Sequence, residues 1–178
     1  MKRSFASLTP QEALQIAIFI EERNAAIYSD FAKMFAEFGD PQSTETAAAF
    51  SEMSREERRH GAILQERYVQ MYGGSRCAIS EEEISDLIEV PRLDVGDFFA
   101  DNRFEEGPSP REKALEVAAA AEESALRFYR RLAESSQDQE LRTLYQEFAN
   151  FEANHTGWLD EQLSQLRRAI GSECLKDN

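Results

Sequence analysis

The chain predicts an all-α fold: a four-helix bundle built from two antiparallel helical hairpins, with a long, partly helical crossover between helices 2 and 3. Three observations predict it. Helix-start signatures recur along the chain, strand signals are nearly absent, and the two halves of the chain repeat one another. A length of 178 residues suits one domain with a core large enough to need no disulfide staple.

Each element follows from local chemistry. Thr9, Pro10 and Glu12 open helix 1 as a capping box, in which the hydroxyl accepts from a free amide and the glutamate reaches back. Helix 1 runs from about 10 to 38 and stops at Gly39-Asp40-Pro41. Helix 2 covers about 41–72 and ends at Gly73-Gly74, because glycine takes the left-handed conformation that closes a helix. The crossover, 73–108, opens a shorter helix at Ser80 and Glu83. Ser109, Pro110 and Glu112 repeat the starting signature for helix 3, about 110–134. After the turn at "SSQDQ", helix 4 covers about 137–170 and leaves a tail, 171–178.

The hairpins align with each other. "IEERNAAIYSDFA" (20–32) matches "AEESALRFYRRLA" (121–133), each with paired glutamates and a tyrosine seven residues after the first. Met53, Glu57, His60 and Leu64 match Phe148, Glu152, His155 and Leu159. An internal pseudo-twofold is the expectation.

Helical spacing then decides which acids face inward. On helix 1 the stripe Leu14, Ala17, Ile18, Glu21, Ala25, Tyr28, Ala32, Phe35 is apolar except at Glu21. The neighbouring register through Glu22 brings in Gln15, Ser29 and Lys33, so Glu22 reads as a solvated flank. Helix 3 likewise singles out Glu122 over Glu123, on a stripe that also carries Tyr129. Helices 2 and 4 each turn a Glu-x-x-His inward, Glu57 with His60 and Glu152 with His155, and these are the only histidines in the chain. Glu21 and Glu57 lie about 18 residues from their turn, and Glu122 and Glu152 about 15 from theirs, so at about 1.5 Å per residue each pair meets at one level.

Four carboxylates cannot all stay ionised in an apolar bundle without cations. Two divalent ions balance them, and neutral imidazoles complete the set. Carboxylate oxygen with imidazole nitrogen suits iron or manganese, and zinc also enters such sites. One glutamate from each of two helices, with Glu-x-x-His from each of the other two, is the ligand pattern of ferritin-like di-iron bundles.

On these six residues and Tyr28, across both hairpins, the chain resembles a rubrerythrin-type member of the ferritin-like superfamily. It is especially similar to the erythrin domain found fused to membrane iron transporters. The resemblance implies that Glu57 and Glu152 bridge two metals, with Glu21 and Glu122 terminal and His60 and His155 one per metal. It further implies oxidation of Fe(II) by dioxygen or hydrogen peroxide, with an electron donor of unknown identity, and tyrosines, Tyr28 and Tyr129, that hydrogen-bond near the metals or pass electrons. Core tyrosines reaching backbone or water are the plainer reading of both. Two departures stand out. Ala125 occupies the position where rubrerythrins carry a further carboxylate, and no Cys-x-x-Cys is present to form a rubredoxin or zinc-ribbon module within these residues. An iron-binding sensor or delivery module is the alternative function, and a metal-free helical interaction domain the remaining one.

Composition sets the outer bounds. A formal charge of −14 argues against nucleic-acid and anionic-membrane binding. No apolar run approaches the roughly 18–20 residues of a membrane span. The start of the chain has no secretory signal, and Cys77 and Cys174 stand isolated, which points to a reducing cytoplasm. The stretch from Ser80 to Glu106 carries ten acids against two arginines and reads as solvated helix, with Phe98 and Phe99 buried on the bundle. Trp158 and the methionines read as core. Helix 1 has a second apolar set, Ile16, Ile20, Ile27, Phe31, Met34 and Phe38, which predicts a homodimer through that face, with the crossover residues Leu87, Ile88, Phe98 and Phe99 as the competing cover.

Overall fold

A computed structural model of the chain describes residues 4–75, 77, 79–80, 83–84 and 109–174. Thr9 starts α1 (Pro10–Phe38) as a complete capping box: its hydroxyl accepts from the Glu12 amide at 3.3 Å, and Glu12 accepts from the Thr9 amide at 2.9 Å. Gly39, at φ 72°, ends the helix in the left-handed region, and Asp40 at once caps α2 (Pro41–Tyr72) by accepting from Ser43 N at 2.9 Å. Gly73, at φ 64°, closes α2. Ser80 and Glu83 form a second capping box, as expected. Ser109 caps α3 (Pro110–Ser135), but Glu112 does not reach back to it. Its carboxylate is held instead by Arg167 of the last helix at 2.7 Å, a charged partner that outcompetes a neutral amide.

The last helix, α4 (Gln139–Cys174), differs from expectation at both ends. Asp138 accepts from the amides of Glu140 and Leu141, so the cap lies one residue beyond the predicted start. The helix also continues through Gly171 to Cys174, into what was expected to be the tail. One interior glycine costs only about 1 kcal/mol against alanine, which is too little to end a packed helix.

The backbones pack mainly within each hairpin, α1 on α2 and α3 on α4, with a smaller contact between α1 and α3. The all-α four-helix bundle is as predicted, and among the described residues there is no strand. Ser54 pins α2 to α1 by donating to the Ala25 carbonyl at 2.7 Å. Phe50 lies among Tyr28, Phe31 and Phe35 at centroid distances of 5.1–6.1 Å, filling the turn end of the first hairpin.

Three core assignments change. Ile16, Ile20, Ile27 and Phe31 are buried within the single chain, so that stripe supplies no reason for a second subunit. The cause is geometric: α1 packs against both α2 and α3, and two neighbours cover a wider apolar arc than one. Only Phe38 of that set is well exposed. Ile79 and Ile84, at the start of the crossover, are buried in the same cluster as Ile16, Ile18 and Ile20. The residues Leu87, Ile88, Phe98 and Phe99 lie outside the described residues. Trp158 is 40% exposed rather than core, because it continues the outer row from Phe151, while Leu159 takes the inward position. Of the methionines, Met53 is buried, and Met34 and Met71 pack at the edge of the core.

Replacing Phe31 by alanine is therefore expected to cost about 3–5 kcal/mol of unfolding free energy in a denaturant titration, against a much smaller loss for Trp158→Ala. Equal small losses would place the Phe31 face outside the core.

Candidate metal centre

Local helical spacing brings the six predicted residues to one level of the bundle. Glu21, Glu57, Glu122 and Glu152 are wholly buried, while Glu22 and Glu123 face solvent on the flanks. His60 Nδ1 lies 3.4 Å from Glu21 Oε2 and 3.9 Å from Glu57 Oε2. His155 Nδ1 lies 3.0 Å from Glu57 Oε1 and 3.3 Å from Glu122 Oε2. Two groups result, with donor atoms within 4.8 Å of one another in each: Glu21, Glu57, His60 and Glu152, then Glu57, Glu122 and His155. Glu57 is common to both.

Many of these donors have nothing to bond. Glu21 Oε2, both oxygens of Glu57 and Glu152, and His60 Nδ1 are buried without a hydrogen bond of acceptable geometry. The 3.0 Å approach of His155 to Glu57 is close enough for charge attraction but is not aligned as a hydrogen bond. Buried polar atoms are seldom left unpaired, since each costs about 1–3 kcal/mol, and a set that converges on one space fits divalent cations.

The tyrosines cross between hairpins. Tyr28 of α1 donates to Glu122 of α3, and Tyr129 of α3 donates to Glu21 of α1. Burial pushes both phenols well above their ordinary range, reinforced by the adjacent Glu122 and Glu21 charges, so both stay protonated as donors. Each occupies one oxygen of its carboxylate. Helical spacing placed both tyrosines on the right faces, but not these partners.

Electrostatics divides the acids. Burial drives Glu21 and Glu152 upward toward the protonated form, with His60 opposing this at Glu21 and the Glu122 charge adding to it at Glu152. Burial also acts to raise Glu57, yet the His155 and His60 imidazoles and the Glu21 carboxyl beside it hold it down at about 2. The histidines answer in kind. Burial would lower His60, but Glu21 and Glu57 raise it to about 9, and Glu122 and Glu57 raise His155 to about 11.

The centre is closed by apolar side chains except on one edge. The histidine side chains are 10% and 13% exposed and the four carboxylates 0%. They lie where α2 meets α4, with the His60 ring stacked 4.7 Å from Phe151 and 5.9 Å from the His155 ring. One residue was missed from the sequence: Glu56, whose Oε2 lies 3.0 Å from His155 Nε2. As one of several flank acids on α2, it carries no spacing signal. Farther along the same seam, Ile63, Arg67, Thr143, Leu144 and Glu147 line a cavity of about 510 Å³.

Comparison with known proteins agrees with this architecture. The family model described as Rubrerythrin matches residues 12–94 and 113–177. A comparison with curated proteins gives no match. Two solved structures share the fold. One is an uncharacterized conserved protein from Magnetospirillum magnetotacticum MS-1, with a TM-score of 0.69 and 24% identity over 89% of this chain and 95% of that one. The other is a hypothetical protein from Pyrococcus furiosus, with a TM-score of 0.64 and 24% identity over 93% of this chain and 94% of that one.

The raised histidines fix a pH dependence for the metal-free protein. A group raised on folding stabilises fully below its unfolded value, 6.5 here, and that contribution is lost as pH climbs through about 9 and then about 11. Glu21 and Glu152, also raised, act in the same direction from 4.5 upward. Glu57 acts oppositely, its contribution fading as pH falls from 4.5 toward about 2. In chelator, denaturant midpoints should therefore fall between pH 7 and pH 10, and a rise over that interval would refute this charge arrangement.

Proposed function

Since this chain belongs to the rubrerythrin family, we propose that it is a non-haem dinuclear metalloprotein, with iron as its metal, that oxidises Fe(II) with dioxygen or hydrogen peroxide. The observation that carries this is the converging set of buried, unpaired carboxylate oxygens on four helices, with an imidazole from each of two. Glu21, Glu57, His60 and Glu152 would hold one ion, and Glu57, Glu122 and His155 the other. A pair of irons held by these residues would supply one electron each, matching the two electrons and two protons that turn hydrogen peroxide into two waters.

The remaining work belongs to the chain. Tyr28 and Tyr129 each engage one oxygen of Glu122 and Glu21 and hold a proton at the phenol, which fixes the direction of the other oxygen. Leu64, Phe148 and Leu159, all buried, keep bulk water from the carboxylates. The histidine edge between α2 and α4 is the route for an oxidant as small as dioxygen or peroxide.

One observation favours a second reading, an iron-binding sensor or delivery module with little turnover. Ala125 is buried at 1% exposure and offers no ligand at the position where the rubrerythrin resemblance implies a carboxylate. Six residues then hold the metals, as in a ferritin-type centre.

Purified protein reconstituted with Fe(II) should bind two ions per chain and melt at a higher temperature than the chelated form, because metal binds only the folded site. Glu57→Ala with Glu152→Ala should abolish two-metal binding, and retention of both ions by that variant would sink the assignment. Stopped-flow absorbance after mixing the Fe(II) form with oxygen or peroxide separates the readings: oxidation within seconds marks the oxidoreductase, and a stable Fe(II) form marks the binding module.

A further inference from the structure

The pseudo-twofold that relates the hairpins is broken beside the histidines. Glu57 corresponds to Glu152, so the residue before it, Glu56, corresponds to Phe151. Glu56 Oε2 lies 3.0 Å from Nε2 of His155, the nitrogen that faces away from the carboxylates. Nδ1 of the same ring points to Glu57 and Glu122. His60 also turns Nδ1 inward, but its ring meets the face of Phe151 at 4.7 Å and an interplanar angle of 16°. A carboxylate accepting from the outer nitrogen fixes the tautomer, orients the ring and raises the basicity of the inner nitrogen. An aromatic face does none of these. It holds the ring by packing alone.

The geometry points to Glu56 as a positioning residue that makes the two metal positions unequal, by holding His155 toward the position formed with Glu57 and Glu122. This rests on the dinuclear reading above and goes beyond it. Both rings lie on the same seam with similar exposure, so burial does not distinguish them. The Glu56 carboxylate is 37% exposed and stands behind the imidazole rather than among the unpaired oxygens. It acts through His155.

Co(II) alone, titrated into the full chain and read by visible absorption and calorimetry, tests the inference. Wild-type protein should take two ions per chain. In Glu56→Ala, one ion should keep its affinity while the other binds about 10- to 100-fold more weakly. Glu56→Gln should fall between them, because its amide oxygen still accepts from Nε2–H. In the proton spectrum of the Co(II) form, one imidazole N–H should exchange slowly with water in wild type and rapidly in Glu56→Ala. The other should be unaltered, a change that loss of general stability would not produce. Equal weakening of both ions, or of neither, in Glu56→Gln and Glu56→Ala overturns the role of Glu56 while leaving the dinuclear reading intact. Failure of wild-type protein to bind two ions overturns both.

Discussion

Glu21, Glu57, Glu122 and Glu152 are withdrawn from water at one height of the bundle, where desolvation and mutual repulsion oppose their charge. Much of the surrounding structure answers that constraint. Both histidines are drawn to the carboxylates, two phenols donate across the hairpins, and Glu57 keeps its charge at the expense of the imidazoles around it. Without cations, charge balance is obtained by protons on Glu21, Glu152, His60 and His155. Cations held there would displace those protons and meet the oxygens left unpaired. The apolar rows above and below the site make the arrangement costly when empty and strong when filled, because a low dielectric acts on attraction as well as on repulsion.

The packing divides the labour between two edges of the bundle. Where α1 faces α3, crossed tyrosine–glutamate bonds tie the hairpins together, and the carboxylates there are sealed. Where α2 faces α4, contact is made by rings and by charged side chains reaching over the seam, as in the pair Arg67–Glu140. Rigidity and access thus occupy opposite sides of one site. A small molecule arriving at the histidine edge need not disturb the bonds that set the carboxylates.

The inward-facing acids were legible because each interrupts an otherwise apolar helical stripe, and their depth followed from counting to the turns. What a helical wheel does not carry is the identity of the neighbour across a gap. It placed Tyr28 and Tyr129 on the right faces without showing that each would serve the glutamate of the other hairpin. The same limit hid Glu56, since a flank carboxylate looks the same whether it meets water or a histidine. The Ile16 to Phe31 stripe was misread for a different reason: a bundle helix has two neighbours, so its apolar arc is broad without a partner chain. Trp158 failed through offset, one residue and about 100° of rotation from the inward Leu159.

The crossing of the tyrosines has a consequence for symmetry. Tyr28 reaches from α1 to Glu122, and Tyr129 returns from α3 to Glu21, so each hairpin supplies the hydroxyl that the other requires. That exchange is the contact pattern of an isologous pair, in which i meets j and j meets i. Two copies of a single hairpin, docked about the same axis, would make both bonds from one sequence. In a single polypeptide the two halves need not match at positions off the shared set, and at Glu56 and Phe151 they do not, so that one chain holds a difference that a true twofold assembly forbids.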